Sequence, residues 1–350
     1  MSKMKTRRTT FALWEYLVFA AVTVAVLALS VCVGSVSVSL SDTLGAVGAG
    51  ISALFRGMEM PTGLAASIVL SVRLPRVLAV ALTGAALSLS GAAMQGLLKN
   101  PLADGSTLGV SSGASLGAVI AIAFGVRFAS LPLAGTTVLS VVFAFLSLML
   151  ILGLAYRFDC SLSTNTIILI GVIFSMFASS LISLIVTFAS DRLKSITFWT
   201  MGSLQGTTYS QVLLLLGAFL VFGLPIFLSA RELNAFAVGE ETARHIGVNV
   251  RRAKLVILIA VSGLLGVAVS VGGTIGFVGL VTPHMVRFLT GPNHARLLPA
   301  SAFTGAIFLL LADLAARMLL DPIELPIGVV TSLIGAVAFL MIFRRSRRRH

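Results

Sequence analysis

Long apolar runs separated by short polar breaks fill this chain from Phe11 almost to its C-terminus. A membrane-crossing helix needs about 20 predominantly apolar residues. Cutting the sequence at its polar breaks predicts ten such spans, over about 11–36, 65–98, 107–125, 132–156, 166–189, 209–229, 255–272, 274–289, 297–318 and 326–343. The third and eighth are short and rich in glycine, so their ends are the least defined. Residues 37–64 read as an amphipathic surface helix and loop, and 191–206 as a polar segment with Trp199 suited to the interface. The run after the basic start MSKMKTRRTT is too long for a signal-peptide core and lacks a cleavage site, so it is the first span.

The stretch from Arg73 to Gly117 departs from a plain anchor. It holds an apolar span packed with glycine, alanine and serine, a polar break at Asn100–Asp104, and a second span interrupted by glycine and serine. Small residues offer lipid little but let neighbouring backbones approach closely. Irregular backbone at membrane depth is tolerated only inside protein or against a water-filled cavity. The segment therefore reads as the wall of a path. Pro75 starts or kinks its main helix.

Composition agrees with this pattern: 57% of residues are hydrophobic, 11% are charged, and the mean hydropathy is +1.06. No soluble domain of this length could bury so much apolar surface. The whole chain, 1–350, is one membrane domain with no segment long and polar enough for a catalytic unit. Its net charge of +13 would suit nucleic acid, but the distribution argues for topology instead. Of the 25 lysines and arginines, 18 fall at the termini and in alternate loops, and 7 on the opposite side. By the positive-inside rule both termini are cytoplasmic, and Arg73, Arg76 and Arg317 lie outside. Cys32 and Cys160 sit near opposite ends of different spans, so a disulfide is not expected.

Candidate chemistry is sparse. There is no glycine-rich phosphate loop followed by Lys and Ser or Thr, and so no ATP site of that kind. The four histidines are not spaced as metal ligands, and no metal site is expected. Ion-coupled carriers carry ionisable groups in mid-span. Here Asp313 is the best exception, and Arg317, four residues on, can pair with it on one helix face. A chain without its own energy source needs an energised partner. The cytoplasmic segment 231–254 suits one. Ala237, Val238, Ala243, Ile246 and Val248 are apolar against Glu240, Glu241, Arg244 and His245, and Gly239 and Gly247 bound the pattern.

These stretches resemble the permease subunits of ABC importers for iron-siderophore, haem and cobalamin, the FecCD family. Matching motifs are RLPR (73–76), SGAAMQGLLKNPLADGSTLGVSSGASLG (90–117), SLSTNT (161–166), GEETARHIGV (239–248), GGTIGFVGLVTPHMVR (272–287), LLP (297–299), LADLAAR (311–317) and ELPIGVVTSLIGA (324–336). Two departures stand out: GPNHAR lacks the acidic residue often found before its histidine, and 37–64 is not recognisable. The resemblance implies the all-α fold of a type II ABC importer permease with ten spans. It also implies a second permease subunit (the same chain or a paralogue), two cytoplasmic ATPase subunits that use ATP and Mg, and an external substrate-binding protein. Arg73, Arg76 and Arg317 would meet acidic residues of the binding protein. Asn100, Leu102, Thr164 and Asn165 would form a cytoplasmic gate. The segment 237–248 would couple to the ATPase, through Ala237, Val238, Gly239, Glu240, Glu241, Ala243, Arg244, Ile246, Gly247 and Val248.

The expected function is import of a bulky iron chelate across the cytoplasmic membrane of a bacterium by ATP-driven alternating access. Ferric siderophore ranks first, haem second and cobalamin third. The chain itself binds no cofactor and is not an enzyme. A self-contained secondary carrier or channel is the rival from another class, disfavoured by the scarcity of mid-span carboxylates. A membrane enzyme ranks third, because no nucleophile, metal set or acid–base pair clusters within the spans.

Overall fold

The computed structural model describes residues 11–34, 38–56, 61, 63–126, 135–159, 163–320 and 323–347. Cys160 and Arg127, and with Cys160 the disulfide question, lie outside these residues. The helices, in chain order, are α1 (Leu13–Cys32), α2 (Leu40–Arg56), α3 (Leu64–Leu97), α4 (Val110–Ala123), α5 (Gly135–Phe158), α6 (Thr164–Phe188) and α7 (Leu193–Thr200). They continue with α8 (Tyr209–Leu228), α9 (Ala230–Val238), α10 (Glu240–His245), α11 (Val250–Gly272), α12 (Val278–Thr290), α13 (His294–Met318) and α14 (Ile327–Arg347). No strand occurs among the described residues.

Among the described residues, seven helices are long and apolar enough to cross a membrane: α1, α3, α5, α6, α8, α11 and α13. They coincide with seven of the ten expected spans. Of the other three, α4 has 14 residues, α12 has 13, and α14 includes the apolar stretch Ile327–Met341. The amphipathic reading of 37–64 corresponds to α2, whose start is capped by Ser39 Oγ accepting from the Asp42 amide at 3.1 Å.

Several boundaries move for a reason that hydropathy does not register. Asn249 and Asn293 accept hydrogen bonds from Arg252 N and Ala295 N through their side chains, so α11 and α13 begin earlier than their apolar runs. Conversely, 273–277 is not helical: Gly273 (φ 69°) and Phe277 (φ 66°) hold left-handed conformations, and α12 starts only at Val278.

The bundle is built around α3, α11 and α13, whose most apolar windows are 83%, 78% and 67% buried. Glycine brings them together. A β-carbon at Gly84 would lie 2.3 Å from the Gly305 carbonyl oxygen, and one at Gly305 would lie 2.3 Å from that of Gly84. Between α3 and α12 the fit is tighter still, since a β-carbon at Gly91 would come within 1.9 Å of the Gly279 oxygen. Backbones this close gain dispersion contacts that lipid cannot match.

Some polar groups in this core are paired across helices, which offsets the cost of burying them in a low-dielectric interior. Pro283 inside α12 removes the donor that Gly279 O would otherwise receive, and Gln95 of α3 donates to Gly279 O (3.3 Å) and Leu280 O (3.1 Å) instead. Thr282 donates to Ser88 Oγ at 2.6 Å. Proline also shapes α3 and α8, whose π-helical turns at Ile68–Arg73 and Phe219–Gly223 each end two residues before a proline, Pro75 and Pro225. In the π register Leu70 O would face the missing Pro75 N–H, and the Tyr209 hydroxyl donates to it at 2.6 Å.

Candidate functional site

The three arginines expected on the outer side are brought together, but they point inward. Arg73, Arg76 and Arg317 are 6%, 8% and 4% exposed, so they are neither solvated nor turned to lipid headgroups. Arg76 pairs with Asp313 at 2.9 Å and with Glu324 at 2.7 Å. Arg317 lies 3.0 Å from the other oxygen of Asp313, the i,i+4 pair expected from the sequence, off the axis of a hydrogen bond. The remaining donors cap α1. Arg73 donates to the carbonyls of Val31 and Cys32 at 2.9 and 3.0 Å, and Arg317 to those of Ser30 and Val33 at 3.1 and 3.0 Å. A helix leaves its last four carbonyls unpaired and carries a partial negative charge there. Two guanidiniums from other helices therefore satisfy the C-terminus of α1 while two carboxylates offset their charge. Gly34 makes room, since a β-carbon there would be 3.0 Å from the Arg73 guanidinium.

A hydroxyl-lined cavity of about 350 Å³ lies between α3, α4, α6 and α11. Its polar lining comes from Asp104, from Ser111, Ser112 and Ser115 of α4, from Ser179 of α6, and from Thr200 and Thr274, with Phe277 among its apolar lining. The motif SSGASLG thus supplies one side of it. Glycine again sets the geometry, because β-carbons at Gly113 and Gly117 would strike Ser147 and the Leu139 carbonyl of α5. Thr274 donates to Thr200 O and ties the non-helical 273–277 segment to the end of α7. The fourth wall is α6, which has only 22% of its apolar window buried. It leaves Ser179, Ser180, Ser183 and Thr187 exposed, and the latter three hydroxyls bond back to their own helix.

At the opposite end of α3 the chain turns through Lys99 (φ 51°) and Asn100. Asn100 Oδ1 accepts from the Leu102 amide at 2.9 Å, an Asx turn of the kind asparagine favours before proline-containing breaks. Asn100, Pro101 and Leu102 are exposed. Thr164 and Asn165, half-buried and exposed, open α6. Ser163 caps that helix and is itself held by Asp159 Oδ2 at 3.0 Å. Residues 160–162 of the SLSTNT motif lie outside the described residues.

The segment 237–248 takes in the end of α9 and all of α10, with a bend at Gly239, whose φ of 144° only glycine adopts readily, and a close at Gly247, φ 90°. Leu233 and Phe236 bury the base of α9. Ala243 is buried, Gly239, Glu240 and Val248 are half-buried, and Ala237, Glu241, Arg244 and Gly247 are exposed. Val238 and Ile246 are 73% and 67% exposed, an apolar pair set among charges. Glu240 is anchored from beneath by Lys254 at 2.9 Å.

Sequence reasoning assigned no role to Gln95, Glu324, Ser179 or Thr274. Gln95 carried a readable signal, since an amide within an otherwise apolar span is rare and needs an internal partner. The others carried none, because their importance comes from which helices meet. Among the described residues no cluster of three or more His, Cys, Asp or Glu has metal-site geometry.

Comparison with known proteins places these features in context. Residues 22–345 match the FecCD transport family. The chain is 49% identical over 285 residues to the uncharacterised ABC transporter permease YvrB of Bacillus subtilis, covering 81% of this chain and 80% of that one. It is 39% identical over 286 residues to the hemin transport system permease HmuU of Yersinia pestis, covering 80% and 84%. Among solved structures it superposes on an ABC transporter assigned to the metal-chelate type, in an inward-facing conformation. The TM-score is 0.83 at 30% identity, covering 95% of this chain and all of that one.

Proposed function

The chain belongs to the FecCD transport family, and from that membership we propose that it is the permease subunit of a type II ABC importer for a ferric siderophore, with haem second and cobalamin third. It is a multi-pass protein of the cytoplasmic membrane. The observation that carries the reading is the hydroxyl-lined cavity against the sparsely buried α6, in a chain that also presents an apolar tip at Val238 and Ile246. A wall in which serine and threonine hydroxyls supply most of the polar groups lets a bulky chelate pass without a tight site, since capture is the task of a binding protein.

On this reading α4, α12 and α14 complete ten spans in a single domain, and both termini face the cytoplasm. A second permease, an identical copy or a paralogue, covers α6, so that the path runs between the two. The tip at 237–248 enters a groove on each cytoplasmic ATPase, and these partners bind ATP and Mg. Asn100, Leu102, Thr164 and Asn165 form the inner gate, where small polar side chains close by contact and reopen without burying a charge. On the outer side, carboxylates of the binding protein reach Arg73, Arg76 and Arg317. There they compete with Glu324 first, because its side chain is 21% exposed whereas that of Asp313 is 1% exposed.

The test is ATP-dependent uptake into vesicles containing the complex with its ATPase and binding-protein partners, offered a ferric siderophore, haem and cobalamin in turn. Uptake of one chelate supports the reading, and uptake of none overturns it. The gate has its own test, with cysteine at Leu102 or Thr164 in a chain whose Cys32 and Cys160 are replaced by serine. Nucleotide-dependent crosslinking between the two permeases supports a gate at the shared axis. Failure in every nucleotide state, with transport intact, moves the constriction elsewhere.

A further inference from the structure

A polar junction joins helix α9, at the base of the exposed 237–248 tip, to the transmembrane core. Asn234 sits at its centre. Its Oδ1 accepts from the His294 backbone amide at 2.8 Å and faces the His294 Nδ1 at 2.8 Å. Its Nδ2 donates to Asn293 Oδ1 at 3.0 Å, the same oxygen that caps α13 through the Ala295 amide at 2.9 Å. The first turn of a helix has four unpaired N–H groups. In α13 one of these is satisfied by a side chain of α9 and another by a residue that α9 holds in place. A shift of α9 therefore cannot occur without either dragging the start of α13 or exposing those donors.

The junction continues into α3. Because the Asn234 oxygen accepts, Nδ1 of His294 carries the proton and Nε2 is left with its lone pair. His294 is 3% exposed, and its Nε2 has no hydrogen-bond partner. That edge of the ring rests against Gly96, where a β-carbon would come within 2.4 Å of Nε2. Gly96 lies in the last turn of α3, four residues before Asn100. An imidazole explains both sides of the contact, since it is a donor toward Asn234 and a flat rigid edge toward a glycine backbone.

We propose that Asn234 and His294 are positioning residues that carry movement of the 237–248 segment, through Gly96, to the α3 turn at Asn100–Leu102. The inference rests on the reading of 237–248 as the ATPase-coupling segment. It concerns how the signal crosses the protein and not where it originates. Close-packed junctions of this kind have discrete arrangements and do not deform continuously, so a displacement at one end is delivered at the other.

The test uses the full complex with its ATPase, in membranes, with Leu102→Cys as a reporter thiol in a chain with Cys32 and Cys160 replaced by serine. In His294→Ala and Asn234→Ala the ATPase still co-purifies and hydrolysis stays within about twofold of the parent. Uptake per ATP falls by about tenfold or more, and the nucleotide-dependent change in reactivity of the reporter thiol is lost. The double variant is no worse than either single one, as expected of two residues in one chain of contacts. Gly96→Ala, which forces the imidazole away, behaves like His294→Ala. His294→Gln, which restores a donor toward Asn234, recovers part of the coupling and serves in place of His294→Ala should that variant misfold. Parent-like uptake per ATP and a parent-like reporter response in the folded variants would overturn the proposal. So would single losses that multiply in the double variant. A control separates the two readings. If Val238→Asp with Ile246→Asp leaves ATPase co-purification and coupling intact, the coupling segment itself is misassigned. If those changes abolish co-purification while the His294 and Asn234 variants couple normally, only the relay fails.

Discussion

Helices α3 and α6 are both long, apolar and suited to spanning a membrane, yet they are used in opposite ways. Of their most apolar windows, 83% of that in α3 is buried and 22% of that in α6. Helix α3 meets its neighbours through missing side chains, at Gly84, Gly91 and Gly96, and polar groups on it such as Arg76 and Gln95 are committed to partners on other helices. Helix α6 keeps bulky residues such as Met176 and Phe177 outward and carries exposed serines beside them. The difference teaches that hydropathy sorts segments into the membrane but says nothing of which ones hold the structure. Backbone proximity and paired polar groups mark the scaffold, and α6, sparsely buried with a stripe of hydroxyls, is the helix proposed above to line the path.

The comparison breaks most severely at the arginine cluster near the start of α3. Asp313→Ala leaves Arg76 and Arg317 buried without their shared carboxylate, a loss of about 3–5 kcal/mol for a buried pair broken on one side. Thermal unfolding in detergent should show a larger drop for this change than for any of those that follow, and a parent-like transition would mean that the cluster does not hold the bundle. Next comes packing. Gly91→Val places a side chain onto the Gly279 carbonyl, and overpacking of this kind costs about 1–3 kcal/mol and sometimes more. Gly153→Val, where a β-carbon meets nothing within 4 Å, is the matched control and should melt with the parent. Equal losses at both positions would show that glycine itself, and not proximity, is being measured.

A smaller effect is expected at Gln95. Gln95→Leu keeps the volume but strands the Gly279 carbonyl freed by Pro283, at about 1–2 kcal/mol. Restoring the missing backbone donor with Pro283→Ala should recover most of that loss, and additive losses in the double variant would disconnect the two residues. The least stability change belongs to α6. Ser179→Phe, directed at the cavity, should leave the melting transition in place while reducing uptake several-fold. A fall in melting temperature comparable to that of Gly91→Val would make α6 part of the scaffold and erase the distinction.

Much of this was legible from residue order. Seven spans, the surface helix at 40–56, the Asp313–Arg317 pair and the glycine-bounded helices around 239–247 all follow from local patterns: apolar length, i,i+4 spacing and glycine as punctuation. The exact starts of α11 and α13 did not, because an asparagine side chain satisfying a first-turn amide is invisible to hydropathy. Nor did the helix start at Val278, which depends on left-handed backbone at Gly273 and Phe277.

By itself, then, the sequence determined that this protein lives in a membrane, roughly where it crosses, and which motifs stand out. Those are decided by free energies of transfer and by propensities that act over a few neighbouring residues. The tertiary structure alone decided that three arginines read as facing outward are turned inward, Arg73 and Arg317 onto the end of α1 and Arg76 onto two carboxylates. It likewise decided that Glu324 and Asp313 share Arg76 across more than two hundred positions of chain, that Asn234 meets His294, and that His294 rests on Gly96. The physical reason is that a charge or amide in a low-dielectric interior must be paired, but any of several partners would satisfy it. Which partner it finds depends on how closely particular glycines let particular helices approach.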